Sequence, residues 1–244
     1  MSAHEKEEGR QSCDRLISTT IDAAACIGCG SCLGVCPTEA FALIDGKAVV
    51  TGTESMACDH CAAACPTGAV RVAAVDPSLG RFQTFAADTR WRPHGRFDLS
   101  ELVNLMGSRR SCRSFTDLPV APALLTDLVK VGVTAPSGSN CQPWTFTILP
   151  DRAAVLDLGR QVGDFFRKTN RLAARRWLRT ILKWIGRPAL DRYYCQHYDT
   201  VARALAQWDS GECDRLFHGA TAAMVVAADR DASCPVEDAL LAAG

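Results

Sequence analysis

Seven cysteines, Cys26, Cys29, Cys32, Cys36, Cys58, Cys61 and Cys65, crowd into one stretch of a chain that has 13 in all. Thiolates are soft ligands that select zinc, copper(I) or iron–sulfur clusters. The first four follow the spacing C-x2-C-x2-C-x3-C, and Pro37 comes directly after. Three closely spaced thiolates wrap one face of an iron–sulfur cubane, while a fourth set before proline reaches across to a second cluster. A zinc-binding interaction module is the remote alternative, because a zinc site usually takes two separated C-x2-C pairs and four ligands. A disulfide framework would need an oxidising compartment. Met1 to Arg10 is polar, with no apolar leader core, so we expect reduced cysteines in a cytoplasmic protein.

The pattern repeats. Cys29, Cys32 and Cys36-Pro37 recur 29 residues on as Cys58, Cys61 and Cys65-Pro66, and Pro37-Thr38-Glu39-Ala40 echoes Pro66-Thr67-Gly68-Ala69. Two half-modules, about 17–46 and 47–76, therefore complete one core. The second copy is imperfect, because the counterpart of Cys26 is Ser55. In the crossed arrangement one cluster takes Cys26, Cys29, Cys32 and Cys65. The other takes Cys36, Cys58 and Cys61 and lacks a thiolate. A serine alkoxide is a harder, far less acidic ligand. The second cluster is thus expected to be Ser-ligated, three-iron (3Fe–4S), completed by Cys13, or labile. His60 reads as solvent-facing.

A second candidate chemistry begins at Arg109. Arg109, Arg110, Ser111 and Arg113 place three guanidiniums and a hydroxyl next to a helix end, which suits an anion such as a phosphate. The plain alternative is a solvated basic turn. Downstream, Ala135-Pro136-Ser137-Gly138-Ser139-Asn140-Cys141-Gln142-Pro143-Trp144 offers small residues, side-chain amides and exposed backbone. Such a loop can lie against a flat heteroaromatic ring, or serve only as a turn rich in Pro, Gly and Ser. Cys112, Cys141, Cys195, Cys213 and Cys234 have no metal spacing and read as buried free thiols. No G-x-G-x-x-G follows a strand, so nothing argues for a dedicated NAD(P) domain.

The elements that must position these groups are partly legible. Residues 1–16 form a polar tail, and 77–99 a linker or strand-like arm with Pro77, Gly80, Pro93 and Gly95. Asp45-Gly46 between Phe41–Ile44 and Ala48–Val50 signals a two-residue hairpin. Ser100 is expected to cap a helix bearing Leu102, Val103 and Met106. A second helix is expected from Pro122, a strand at Trp144–Leu149, helix over most of 152–183, a buried strand at Ala222–Ala228 and a helix opened by Pro235. The mixture predicts an α+β second half over 100–244.

Taken together, these segments resemble the FMN-dependent nitroreductase family, in the subgroup with an N-terminal ferredoxin domain. The features are Arg-x-Ser-x-Arg after the first helix, Pro-Ser-x-x-Asn-x-Gln-Pro-Trp before a strand, then Phe217-His218-Gly219-Ala220 and Glu237-Asp238-Ala239. The implied fold is a bacterial-type two-cluster ferredoxin domain followed by a partial nitroreductase-like, FMN-binding α+β domain. The resemblance gives Arg109, Arg110, Ser111 and Arg113 to the FMN phosphate and ribityl chain. It gives Pro136, Ser137, Gly138 and Asn140, with Gln142 as a weaker member, to the flavin, reached from the partner subunit of a homodimer. It also implies a further core helix, a Gly-rich segment and a basic FMN contact beyond Gly244. The implied activity is an oxidoreductase that passes electrons from 4Fe–4S clusters to FMN and on to a small-molecule acceptor, a nitro or quinone-like compound. The rival is a ferredoxin-type electron carrier with no substrate chemistry of its own. The electron donor is not specified by the sequence.

Composition narrows the partners. Lys+Arg and Asp+Glu both number 27, so no net positive field invites nucleic acid. No apolar run approaches the length of a membrane span. Arg167, Lys168, Arg171, Arg175, Arg176, Arg179, Lys183 and Arg187 interleave with Trp177, Ile181, Leu182, Trp184 and Ile185. An anionic membrane or an acidic electron donor could dock there. We expect instead a helical insertion that packs its apolar face on its own domain, without membrane contact.

Overall fold

The computed structural model describes residues 16–87 and 95–244; the tail through Arg15, with Cys13, and part of the expected linker lie outside them. The chain forms two compact units. One gathers the residues up to Phe97 with Thr126–Phe146 and Val226–Gly244, and the other holds Asp98–Leu125 and Thr147–Val225.

In the first unit β1 (Thr19–Ile21) pairs antiparallel with β4 (Val70–Val72), Thr19 opposite Val72. The strands β2 (Phe41–Ile44) and β3 (Lys47–Val50) form the expected hairpin, with Phe41 opposite Val50. Its turn residues Asp45 and Gly46 take φ of 49° and 73°, as a type I′ turn requires. Between strands sit two one-turn helices, α1 (Ser31–Gly34) and α2 (His60–Ala63), related by the 29-residue repeat. The repeat extends to the backbone. Gly28 and Ala57 have φ of 68° and 48°, Gly30 and Asp59 have 75° and 59°, and Glu39 and Gly68 have 51° and 66°. Glycine is obligatory at Gly28, where a Cβ would stand 2.0 Å from the Gly46 carbonyl oxygen.

The core of this module is Cys26, Cys32, Ala40, Phe41, Ala48, Cys61, Ala69, Val70 and Val72. So few small side chains give little hydrophobic stabilisation. Three of them are thiols, so ligand binding and folding are coupled here.

The arm after β4 is fixed to α4 (Pro122–Gly132). Asp127, 1% exposed, accepts from the Gln83 N–H (2.8 Å), the Thr84 N–H (2.7 Å) and the Thr84 hydroxyl (2.8 Å) through Oδ2. Burial alone would raise its pKa, but these donors and Lys130 outweigh it and hold Asp127 below the usual carboxylate range. Replacing Asp127 by Asn removes the charge from a charge-assisted cluster. Amide exchange at Gln83 and Thr84 should then speed up by roughly tenfold or more, which hydrogen-exchange mass spectrometry checks. Near the end of α4, Gly132 lets Phe146 and the Ala242 carbonyl approach, since a Cβ there would meet them at 2.9 and 3.0 Å.

In the second unit α3 (Leu99–Ser108) is capped by Asp98, whose carboxylate accepts from Ser100 N–H at 2.8 Å. The cap is therefore two residues earlier than the expected Ser100, because a carboxylate is also a strong N-cap. The predicted helix over 152–183 is two helices, α5 (Arg152–Ala173) and α6 (Arg176–Trp184), followed by α7 (Ala189–Gln196) and α8 (Tyr198–Asp209). Gly159 brings α5 against α8: a Cβ would lie 2.4 Å from the Trp208 ring. The strands β5 (Trp144–Leu149) and β6 (Ala223–Ala228) form a two-stranded sheet. β6 is half-buried, with Val225 43% exposed, and not the buried strand expected. The last helix, α9 (Pro235–Ala243), belongs to the first unit and opens at Pro235 as predicted.

The basic stretch departs from expectation. Leu178, Leu182 and Arg179 face inward, with Arg179 paired to Asp191 at 3.2 Å and stacked 3.6 Å over the Tyr194 ring. Trp177, Ile181, Trp184 and Ile185 point outward, Trp184 at 88% exposed. The helix packs through a guanidinium and two leucines and leaves its aromatic face uncovered. Among the described residues no helix is long and apolar enough to cross a membrane.

Candidate redox site

The fold brings the cysteines together across the repeat. The thiol of Cys29 lies close enough to Cys65 for their charges to repel, Cys32 stands in the same relation to Cys26 and Cys29, and Cys61 to Cys36. Cys29 and Cys65 come from opposite halves of the repeat, and so do Cys61 and Cys36. The hydroxyl of Ser31 and its backbone N–H draw the Cys29 thiol below its ordinary pKa. Burial pushes Cys32 and Cys61 up. Burial also opposes ionisation of Cys36 and Cys65, but hydrogen bonds from Thr38 and Thr67 and nearby backbone N–H groups win, and both lie low.

Among the described residues no three ligating side chains converge on a single-ion site. A cubane takes one thiolate per iron, so its ligands need not converge as those of a single ion do. The first set supplies four thiolates and fits a 4Fe–4S cluster. The second supplies three. Cys36, Cys58 and Cys61 line one cavity with Ser55, Asp59 and His60. Ser55 Oγ accepts from the Ala57 N–H at 3.0 Å. His60 is exposed, as expected. Cys13 lies outside the described residues.

The residues assigned to the flavin fall in two places. Arg109, Arg110, Ser111 and Arg113 follow α3 on an exposed segment of the second unit. Arg110 Nη1 donates to the Gly107 and Arg109 carbonyls at 2.8 and 2.7 Å, which braces the turn. Three guanidiniums in contact with water are the right donor set for a phosphate. Pro136, Ser137, Gly138 and Asn140 belong to the first unit. A 3₁₀ turn covers Gly138–Asn140, with positive φ at Ser139, Asn140 and Gln142 (54°, 54° and 47°). Backbone strain of this kind persists only where surrounding contacts enforce it.

Those contacts are specific. Asp238, 2% exposed on α9, accepts from the Gly138 N–H at 2.9 Å. Ser137 Oγ accepts from Gln142 N–H at 2.9 Å. The Asn140 amide nitrogen donates to the Met56 and Ala57 carbonyls at 2.9 and 3.2 Å. Met56 and Ala57 lie between Ser55 and Cys58, so the flavin-type loop is tied to the binding loop of the second cluster set. Sequence reasoning missed this tie, and also Asp127; only Asp238 carried a signal, in Glu237-Asp238-Ala239.

The remaining cysteines correct the expectation of buried thiols. Cys112, Cys195, Cys213 and Cys234 are exposed, and Cys141 is disulfide-bonded.

Fold and site define an α+β protein that pairs a two-cluster iron–sulfur module with a second redox-type domain. Residues 18–72 match the 4Fe-4S dicluster domain and residues 106–244 the Nitroreductase family. The latter covers more than half of the chain, and the chain belongs to the nitroreductase family. Its N-terminal module is similar to a ferredoxin of Thermococcus litoralis, 39% identical over 59 residues, 23% of this chain and 98% of that protein. The chain is also similar to iodotyrosine deiodinase 1 of Rattus norvegicus, 36% identical over 56 residues, 23% of this chain and 20% of that protein. For the iodotyrosine deiodinase of Daphnia pulex the figures are 39% over 49 residues, 20% and 16%. The chain thus spans about a fifth of the length of these deiodinases. No solved structure matches it. The cofactors of the two domain types are 4Fe–4S clusters and FMN.

Proposed function

We propose that the chain is an iron–sulfur flavoprotein oxidoreductase that passes electrons from its clusters to FMN and then to an organic acceptor. The observation that carries this reading is the Asn140 amide, which ties the flavin-type loop to the cluster loop at Met56 and Ala57. A cluster moves single electrons, and a flavin converts them to two-electron chemistry. Carrying both on one chain removes the diffusional search and raises their effective concentration.

In this reading Cys26, Cys29, Cys32 and Cys65 hold one cluster, and Cys36, Cys58 and Cys61 grip the other. Arg109, Arg110, Ser111 and Arg113 bind the phosphate and ribityl chain of FMN. Pro136, Ser137, Gly138 and Asn140, with Gln142, line the isoalloxazine ring, with Asp238 fixing their loop. A homodimer brings the two segments into one site. Nitro and quinone-like compounds are the acceptors to screen, and the deiodinase similarity adds an iodinated phenol.

Anaerobic purification with iron, sulfide and acid-released flavin assays tests the reading. About one FMN per chain beside the iron–sulfur absorption is expected. Clusters without flavin would leave the electron-carrier alternative in its place.

A further inference from the structure

The two half-modules share a backbone but not a ligand set. α1 and α2 are the same turn 29 residues apart, and the left-handed positions recur in register at Gly28 and Ala57 and at Gly30 and Asp59. Ser55 therefore occupies the place that Cys26 holds in the first copy. Its side chain lines the cavity shared by Cys36, Cys58 and Cys61. Its place is that of a ligand, but its chemistry is not. The hydroxyl already accepts from the Ala57 N–H at 3.0 Å, and an alcohol oxygen is hard and far less acidic than a thiol. Thiolate ligation fixes an iron; a neutral, hydrogen-bonded hydroxyl does not hold one with comparable strength. Asp59 and His60, which lie between Cys58 and Cys61 in sequence, also line the cavity.

We infer that the second cluster has three irons fixed by Cys36, Cys58 and Cys61 and one exchangeable iron at the corner facing Ser55. This rests on the reading that the N-terminal module carries two clusters. The exchange balances as follows. A doubly positive 4Fe–4S core releases one ferrous ion and gives one electron to an oxidant, leaving a singly positive 3Fe–4S core. A one-electron reductant and a ferrous ion reverse it. The first cluster, with four thiolates, does not take part. The cluster beside the Asn140 tie then responds to oxidant and to ferrous iron, which makes electron supply to the flavin sensitive to both.

The test uses the full chain, purified anaerobically and treated with ferricyanide. The expected result is loss of about one iron per chain and appearance of the narrow, near-isotropic EPR signal of an oxidised three-iron cluster. Isotope-labelled ferrous ion with dithionite should then return about one labelled iron and remove the signal. Ser55→Cys should suppress both the loss and the signal while the iron count before oxidation stays the same. If that variant does not fold, the labelled-iron uptake by the unaltered chain decides alone. Iron retained through oxidation with no signal overturns the inference and leaves the two-cluster reading standing. A chain that holds only one cluster's worth of iron and sulfide overturns both.

Discussion

Replacing Cys61 by alanine should leave a chain with about half its iron and sulfide and a flavin that the clusters no longer reduce. Cys61 is 9% exposed in the module core, on α2, and its thiol neighbours Cys36 from the other half of the repeat. The second set has only three thiolates, so removing one leaves two, too few to hold a cubane. Reduction of FMN through the clusters should then be lost, leaving only the slower direct reaction with the donor. Dithionite acts on flavin directly and should still bleach it. EPR of the reduced variant should show the first cluster alone, which separates loss of one site from collapse of the module. Replacing Cys195, which is exposed and outside both cluster sets and both flavin segments, should change neither count nor rate.

Asn140→Ala should slow electron passage from cluster to flavin by roughly tenfold to a hundredfold, the scale reached when a reacting group is misplaced by about an ångström. Iron and FMN contents should stay near those of the unaltered chain, because the thiolates and the Arg109–Arg113 segment remain. The side chain donates to both the Met56 and Ala57 carbonyls. Its loss frees two carbonyls and one strained loop together. Asn140 has φ of 54°, where alanine is itself penalised. Asn140→Gly removes the amide without that penalty, so an equal slowing in both variants assigns the effect to the amide. Recovery in the glycine variant would assign it to backbone strain instead. Rapid mixing under anaerobic conditions, followed at flavin and cluster wavelengths, reads both.

What the sequence made legible was local or periodic. The hairpin at Asp45-Gly46 follows from two residues that tolerate positive φ. The 29-residue repeat matched the cysteines of the two halves and marked the gap at Ser55. Trp144–Leu149 alternates as a strand should, and Pro235 opens a helix where its missing N–H costs nothing. The misses share another physical origin. Asp98 and Ser100 are both good caps, and only the chain direction into the helix chose Asp98. The break at Ala174 and Arg175 has no proline or glycine to mark it. In α6 the amphipathic pattern was plain, yet periodicity does not say which face turns inward. Arg179 turns in because Asp191 and Tyr194, from α7, are there to receive it. The Asn140 tie spans more than 80 residues of sequence, and no local pattern encodes a partner that distant.

Electrons should pass from a cluster to the flavin inside the assembled protein, with no free carrier between them. Stopped-flow reduction of the anaerobic protein by a limiting one-electron donor tests it most directly. Cluster bleaching should come first, then flavin reduction at a rate independent of both donor and protein concentration. Flavin reduction that scales with donor concentration, or reduced clusters beside a flavin that stays oxidised, would contradict it.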